Sequence, residues 1–161
     1  MSFSTFSGPI RSGTIREGAA DNTGLAVLAQ SYNSGDLTGA VVGNTDTAVF
    51  ILPAGAQILD IVVDQTVAAT AGTTTISVGN ASGGAQLMAA VATTAGGRFR
   101  GTATAATQAA WQTPTTADTV MYVRVAVGTA TLTAGQFILT VQYMQRAIDA
   151  SGNAIQNPVS A

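Results

Sequence analysis

The sequence predicts an all-β fold, an antiparallel β-sandwich with an extended N-terminal arm, whose topology is either a jelly roll or a simpler Greek key. Three observations support this prediction. Short segments alternate apolar and polar residues with a period of two, which is typical of half-buried strands. Gly, Pro and Asn turn signals separate these segments at regular intervals. No segment has a convincing long helical period, so we expect about seven or eight short strands in two packed sheets.

The stretch from Phe50 to Asn80 shows the pattern most clearly. Pro53-Ala54-Gly55 is a turn signal, and alternation follows over Gln57 to Val67 and again over Thr73 to Val78. We expect these two segments to form an antiparallel pair with one solvent-exposed face. In the first segment the alternation places Leu59, Ile61, Val63 and Val67 on one face, and Ile58, Asp60, Val62, Asp64 and Thr66 on the other. In the second it places Thr74, Ile76 and Val78 on one face.

Strands are also predicted on both sides of this central pair. The earlier ones are Leu25 to Tyr32, Leu37 to Val42 and Asp46 to Leu52, with turn signals at residues 33–36 and 43–44. The later ones are Asp118 to Val127 and Gln136 to Gln145. The residues predicted to face the core of the later strands are Met121, Val123, Val125, Val127, Phe137, Leu139, Val141 and Tyr143.

Residues 81–112 have a different texture, rich in alanine, threonine and glycine. Gln86 to Val91 fits either a short helix by propensity or a strand by context, and both alternatives stay open. Arg98-Phe99-Arg100 alternates over three residues. We expect functional loops in this region.

The predicted organisation is an arm at residues 1–24, a sandwich domain at 25–145 and a polar tail at 146–161. A chain of 161 residues fits one domain. The arm is rich in Ser, Gly and Thr and has no period. A disordered tail is one interpretation. Its large apolar residues, Phe3, Phe6, Ile10 and Ile15, favour instead an arm that lies on a neighbour.

Composition excludes several classes of function. Charged residues make up 9% of the chain, the net charge is −2 and lysine is absent, so there is no nucleic-acid footprint. Few charges on so much surface indicate that part of it is covered, and we expect a homo-oligomer. Cysteine and histidine are also absent, which removes thiolate metal sites, thiol nucleophiles and the commonest general base. No run has the length of a signal peptide core or a membrane helix. We therefore predict neither an enzyme nor a cofactor, metal or membrane partner.

Few side chains suggest a site. Asp60 and Asp64 share a strand face about 13 Å apart, too far for one metal ion, and are interpreted as solvated strand residues. Trp111 is either a core aromatic or part of a contact or sugar-stacking platform with Tyr122, Tyr143 or Arg98. Arg98 and Arg100 either pair with the carboxylates of a partner or belong to an ordinary strand whose polar face is solvated. The residues predicted to bind partners are Phe3, Phe6, Ile10, Arg11, Ile15, Arg16, Arg98, Arg100 and Trp111.

Two stretches, SGPIRSGTIREGAADNTGLAVLAQ and LPAGAQILDIVVDQTVAATAGTTTISVGN, together resemble the capsid decoration (cement) proteins of tailed bacteriophages. The resemblance covers about the first half of the chain and the strand pattern. It implies a sandwich or jelly roll, often trimeric, on the outer surface of the virion. It also implies that the partner is the major capsid protein, and it carries over no catalytic residue. The alternative is a carbohydrate-binding β-sandwich of a virion or cell surface.

Overall fold

The protein is a β-sandwich in residues 26–70, 73–100 and 104–145, the ranges that the computed structural model describes. These residues form eight strands and one helix. In chain order the elements are β1 (Ala26–Asn33), β2 (Gly43–Leu52), β3 (Ala56–Thr70), β4 (Thr74–Gly79), β5 (Met88–Ala92), β6 (Gly97–Arg100), α1 (Ala105–Gln112), β7 (Thr119–Val127) and β8 (Ala134–Gln145). The predicted arm and tail lie outside the described residues and stay predictions.

The strands form two four-stranded antiparallel sheets, with the orders β1-β8-β3-β6 (the first sheet) and β2-β7-β4-β5 (the second sheet). The prediction of an all-β sandwich is confirmed. Each sheet interleaves strands from the two ends of the chain, an order compatible with the predicted jelly roll. The strands β1 and β2 are the edges of their sheets on the same side of the sandwich, because a Gln30 side chain on β1 bonds to the backbone of β2.

One core lies between the two sheets. The predicted inward faces of β7 and β8 are confirmed, since Met121, Phe137, Leu139 and Val141 are 0% exposed and Val123 is 1% exposed. Residues of β2, β3 and β4 pack against them from both sheets. Burying a side chain of this size contributes about 1.5–3 kcal/mol, so these alternating positions supply much of the driving force for folding.

The predicted faces of β3 are wrong at its two ends. Leu59 and Val67 were expected to share the face of Ile61 but are 41% and 43% exposed, whereas Ile58 is buried. The pairing with β8 shifts between Ile58 and Asp60 and again between Gln65 and Val67. Each shift inserts one extra residue, which reverses the inward and outward positions that follow it.

The predicted pairing of β3 with β4 is also wrong. β3 lies between β8 and β6 in the first sheet, and β4 lies between β7 and β5 in the second. The alternation correctly identifies Thr74, Ile76 and Val78 as inward, with exposures of 1% or less. It does not specify the neighbouring strand, because both strands bury their inward faces in the same core from opposite sides.

The segment Leu37 to Val42 is a turn and loop rather than the predicted strand. Gly39 has a φ of +87°, and its backbone N–H donates to the carbonyl of Leu132 at 2.8 Å. The N–H of Ala40 donates to the carbonyl of Leu37 at 3.0 Å, which closes a turn. β2 therefore begins only at Gly43, where a turn had been expected.

Residues 81–112 contain both strands and a helix. The strand alternative is correct for Gln86 to Val91, most of which overlaps β5, and Arg98-Phe99-Arg100 lies in β6. The helix α1 was not predicted. The Thr104 hydroxyl accepts from the Thr107 N–H, and the Thr107 hydroxyl accepts from the Thr104 N–H. This capping box begins a helix in alanine-rich sequence that favours helix locally.

Candidate partner-binding surfaces

The outer face of the first sheet carries two ion pairs between β3 and β6. Nε and Nη2 of Arg98 donate to the two carboxylate oxygens of Asp64 at 2.6 and 3.2 Å. Nε of Arg100 lies 3.5 Å from Oδ2 of Asp60. Val62 lies between the two aspartates on this face and is only 7% exposed. The two aspartates, interpreted as solvated strand residues, are thus paired within the sheet.

Arg98 and Arg100 therefore have carboxylate partners in their own chain. Their side chains nevertheless stay 65% and 68% exposed. Hydrogen bonding to Asp64 raises the pKa of Arg98, which favours its charged form. The ion pairs hold both guanidinium groups at the surface, where the aspartates compensate their positive charges. Binding of a partner by Arg98 and Arg100 stays a prediction.

The outer face of the second sheet carries a more buried pair, Asp46 with Arg124. Nε and Nη2 of Arg124 donate to the two carboxylate oxygens at 2.8 and 3.1 Å, and the side chains are 28% and 19% exposed for Arg124 and Asp46. The Ser82 hydroxyl donates to the same carboxylate at 3.2 Å. A Cβ on Gly83, which has a φ of +84°, would lie 2.7 Å from Arg124. The glycine-rich loop after β4 therefore packs closely over this pair, at a distance that leaves no room for a side chain at Gly83.

We expect Asp46→Asn to lower the melting temperature near neutral pH and to reduce its sensitivity to acid. Hydrogen bonding from Arg124 holds the pKa of Asp46 below its ordinary value. Because the folded-state pKa is depressed, the carboxylate stabilises the fold above its unfolded-state pKa. That contribution is lost as the pH falls through the folded-state pKa. Calorimetry between about pH 6 and about pH 2 measures this difference.

The matched control is Asp60→Asn, whose pair with Arg100 is longer at 3.5 Å and whose arginine is 68% exposed. Exposed pairs contribute little to stability, so this variant should differ less from the wild type. Equal acid sensitivity of the wild type and Asp46→Asn would contradict the prediction.

The third surface is a groove of about 520 Å³ along the β1 and β2 edges. We call it the β1–β2 groove. Its described lining consists of Gln30, Ala48, Val49, Phe50, Ile51 and Val120. Ile51 and Val120 are directly opposite each other on the outer face of the second sheet and are 58% and 36% exposed. All these lining residues are uncharged, so the groove favours an apolar occupant.

Gln30 provides the polar group of this groove. Its Nε2 donates to the carbonyl of Ile51 at 3.1 Å and to the hydroxyl of Tyr143 at 3.0 Å. These bonds link the edges of the two sheets. On the neighbouring part of β2, the pairing with β7 shifts between Ala48 and Phe50, which makes Val49 a bulge. The bulge and the Gln30 bond interrupt the edge of β2 and disfavour its pairing with a full additional strand.

The β1–β2 groove was not predicted from the sequence, and neither Ile51 nor Val120 was among the predicted site residues. The available signal was the presence of branched apolar residues near the ends of two predicted strands. Two facts could not be predicted from these residue types. One is the bulge at Val49, which turns Ile51 outward, and the other is that β2 and β7 are neighbouring strands.

Trp111 packs against the main core from the helix α1. Its indole N–H donates to the carbonyl of Leu87 at 2.7 Å, and the ring is partly buried. Tyr143, one of its proposed platform partners, is 5% exposed. Of the two interpretations of Trp111, the structure therefore supports an aromatic residue that packs on the core. Its role in partner binding stays a prediction.

The remaining predicted site residues lie outside the described residues. They are Phe3, Phe6, Ile10, Arg11, Ile15 and Arg16. Within the ranges described, no three His, Cys, Asp or Glu side chains are grouped so as to hold a metal ion. In the same ranges, no helix has the length and apolarity needed to cross a membrane.

Comparison with known proteins places the fold among phage capsid structures. No protein-family model and no curated protein matches the chain. A chain of the capsid of Ralstonia phage GP4 is 25% identical with a TM-score of 0.59, over 77% of this chain and 86% of that chain. A chain of the cyanophage Pam1 capsid asymmetric unit shares the fold with a TM-score of 0.51 and 24% identity, over 88% and 97% of the two chains. The structural neighbours of this β-sandwich are thus phage capsid chains.

Proposed function

We propose that this chain is a structural, non-enzymatic virion protein that binds the outside of a phage head as a homotrimer and stabilises contacts between major capsid subunits. The observation that carries this proposal is the likeness to a chain of the Ralstonia phage GP4 capsid, which extends over 86% of that chain. The resemblance of the two sequence stretches to decoration proteins supports the position on the outer surface.

The surface chemistry is compatible with this role. Three ion pairs join arginines to aspartates on the outer faces of the described sheets, so those faces carry little unbalanced charge. Neutral surfaces are less costly to desolvate than charged ones. Large apolar side chains are exposed as well, at Val27, Leu28, Val41, Val42, Ile51, Leu59, Val67 and Val120. A protein that contacts several neighbours at once uses such surfaces.

No observation favours the alternative of a carbohydrate-binding module. That alternative rested on Trp111 and the loops, with Tyr122, Tyr143 or Arg98 as partners of Trp111 in a sugar-stacking platform. The indole N–H is already bonded to Leu87, and Tyr143 is buried with its hydroxyl accepting from Gln30. A glycan-binding screen of the purified protein tests this alternative directly.

The proposed function is tested by asking whether the chain purifies with intact virions in a fixed copy number. Purified protein should also bind heads that lack it and raise the temperature at which those heads rupture. A light-scattering mass of three 16.0 kDa chains is expected for the protein in solution. Absence of the chain from virions, or heads whose stability does not change on its addition, would overturn the proposal.

We expect the double variant Arg98→Ala/Arg100→Ala to bind heads at least about tenfold more weakly while melting within about 2 °C of the wild type. Both side chains are more than half exposed, so their ion pairs contribute little to folding. Arg124→Ala is the control: its side chain is 28% exposed beneath a loop, and its loss should lower the melting temperature more. Unchanged head binding by the double variant would remove both arginines from the partner site.

A further inference from the structure

We propose that the β1–β2 groove binds the N-terminal arm, residues 1–24, of a neighbouring copy of the chain. This inference rests on the proposed function in one respect, since it gives the expected homotrimer a physical link between its subunits. It assigns Ile51, Val120 and Gln30 as the receptor and the apolar residues of the arm as the ligand.

The shape and polarity of the groove indicate an apolar segment as its occupant. The groove has a volume of about 520 Å³, and its exposed apolar rim includes Ile51 and Val120. Leu28, at 42% exposed, lies two residues before Gln30 on the same face of β1, so it extends this rim by about 7 Å. Phe3 and Phe6 of the arm are large apolar side chains in a sequence with no strand or helix period. They are suited to enter such a groove singly.

Gln30 provides a hydrogen-bond acceptor for the backbone of the occupant. Its Nε2 already donates to Ile51 and to Tyr143. Its Oε1 accepts from no residue in the described part of the chain and is not among the buried unpaired atoms. A backbone N–H of a peptide segment in the groove is a suitable donor to this oxygen.

One acidic side chain beside the groove is a candidate partner for an arginine of the arm. Asp118 lies outside the uncharged lining, two residues before Val120, is exposed and accepts from the N–H of Ala54 at 3.0 Å. Among the described residues, Arg98, Arg100 and Arg124 all pair with aspartates, and no basic side chain of these residues pairs with Asp118. The arm contains Arg11 and Arg16, each directly after an isoleucine, as well as the acidic residues Glu17 and Asp21. An arginine of the arm is therefore a charged partner for Asp118 when the apolar residues occupy the groove.

The position and length of the arm allow it to reach a neighbour. The described chain begins at Ala26 of β1, four residues before Gln30 of the groove, which corresponds to about 13 Å along the strand. Twenty-five residues extend to at most about 80–90 Å. A contact between the arm of one copy and the groove of the next is heterologous, and such contacts form a ring when the rotation from copy to copy closes. The same contact repeated three times builds the expected trimer.

A complementation experiment tests the proposal with two full-length variants. The arm variant is Phe3→Ser/Phe6→Ser. The groove variant is Ile51→Lys, which replaces a 58% exposed apolar side chain with a charged one that an apolar occupant would have to desolvate. Each variant alone should have the mass of one 16.0 kDa chain in light scattering. An equimolar mixture should form a complex of two chains, because only the arm of the groove variant and the groove of the arm variant remain intact.

The matched control is Thr131→Lys, which adds the same charge at an exposed position between β7 and β8, outside the groove. This variant should associate like the wild type. Far-UV spectra of all variants should match that of the wild type. Recovery of association in the mixture shows in addition that the unmutated arm and groove are intact.

Three outcomes would overturn the proposal: a wild-type protein of one-chain mass, an Ile51→Lys variant that associates like the wild type, or a mixture that stays at one-chain mass. The last result would indicate that each arm occupies its own groove or another surface. If Ile51→Lys forms wild-type oligomers but fails to bind heads, the groove binds the capsid instead. In that case the arm proposal fails while the proposed function stands.

Discussion

A chain carrying Leu139→Asp or Val123→Asp is expected not to fold. Leu139 on β8 is 0% exposed and Val123 on β7 is 1% exposed, and they pack in one core from opposite sheets. A carboxylate at either position has no cationic partner and loses its hydration, which costs several kcal/mol. That cost is comparable to the whole stability of a small domain, about 5–15 kcal/mol. The soluble fraction after expression and the far-UV spectrum measure the loss.

The control for both substitutions is Asn44→Asp, which adds the same charge at an exposed position of β2. This variant should fold and melt close to the wild type. Soluble and oligomeric protein from Leu139→Asp or Val123→Asp would show that the inward face of that strand has been assigned incorrectly.

Deletion of residues 2–20 is expected to leave the sandwich folded but to weaken both association between copies and attachment to heads by at least about tenfold. The described core clusters consist of residues from 50 to 143, so the far-UV spectrum should be unchanged and the melting temperature only slightly lower. Ordering an arm costs roughly 1–2 kcal/mol per residue in backbone entropy. Only a large contact area, repeated by several arms on one assembly, offsets that cost.

The control for the deletion keeps the length of the arm and its apolar residues. Ser2, Ser4, Thr5 and Ser7 are replaced by glycine, while Phe3, Phe6, Ile10 and Ile15 are retained. This variant should bind nearly as well as the wild type. If the truncated chain binds heads and associates like the full chain, residues 2–20 are a dispensable terminus.

Much of the fold was predictable because alternation is a local property. The bounds of β7 and β8 fall within two residues of their predicted positions, and their inward residues are buried. Along β3 the same reasoning failed at Leu59 and Val67, because bulges change the parity of a strand without leaving a mark in the residue types. The helix α1 was missed because its seven residues of alanine, threonine and glutamine and its one tryptophan form no clear apolar face.

The candidate site was less predictable than the fold. Arg98 and Arg100 were identified as exposed cations on a strand, but their partners Asp64 and Asp60 come from a strand more than 30 residues earlier. The sequence shows the individual apolar residues of the β1–β2 groove, but it does not show that they lie next to one another on one surface. Their meeting depends on the bulge at Val49 and on a single glutamine that links two sheet edges.

By itself, the sequence determined that this protein is an all-β sandwich with a low-charge surface, and it determined which residues of its last two strands are buried. The spacing of side chains along one strand is sufficient for those properties. Only the tertiary structure showed which strands are neighbours and which aspartate forms an ion pair with Arg98, Arg100 or Arg124. It also showed where exposed apolar residues form a groove. These depend on backbone hydrogen bonds between distant segments, and such bonds form equally well between any two strands whatever their side chains.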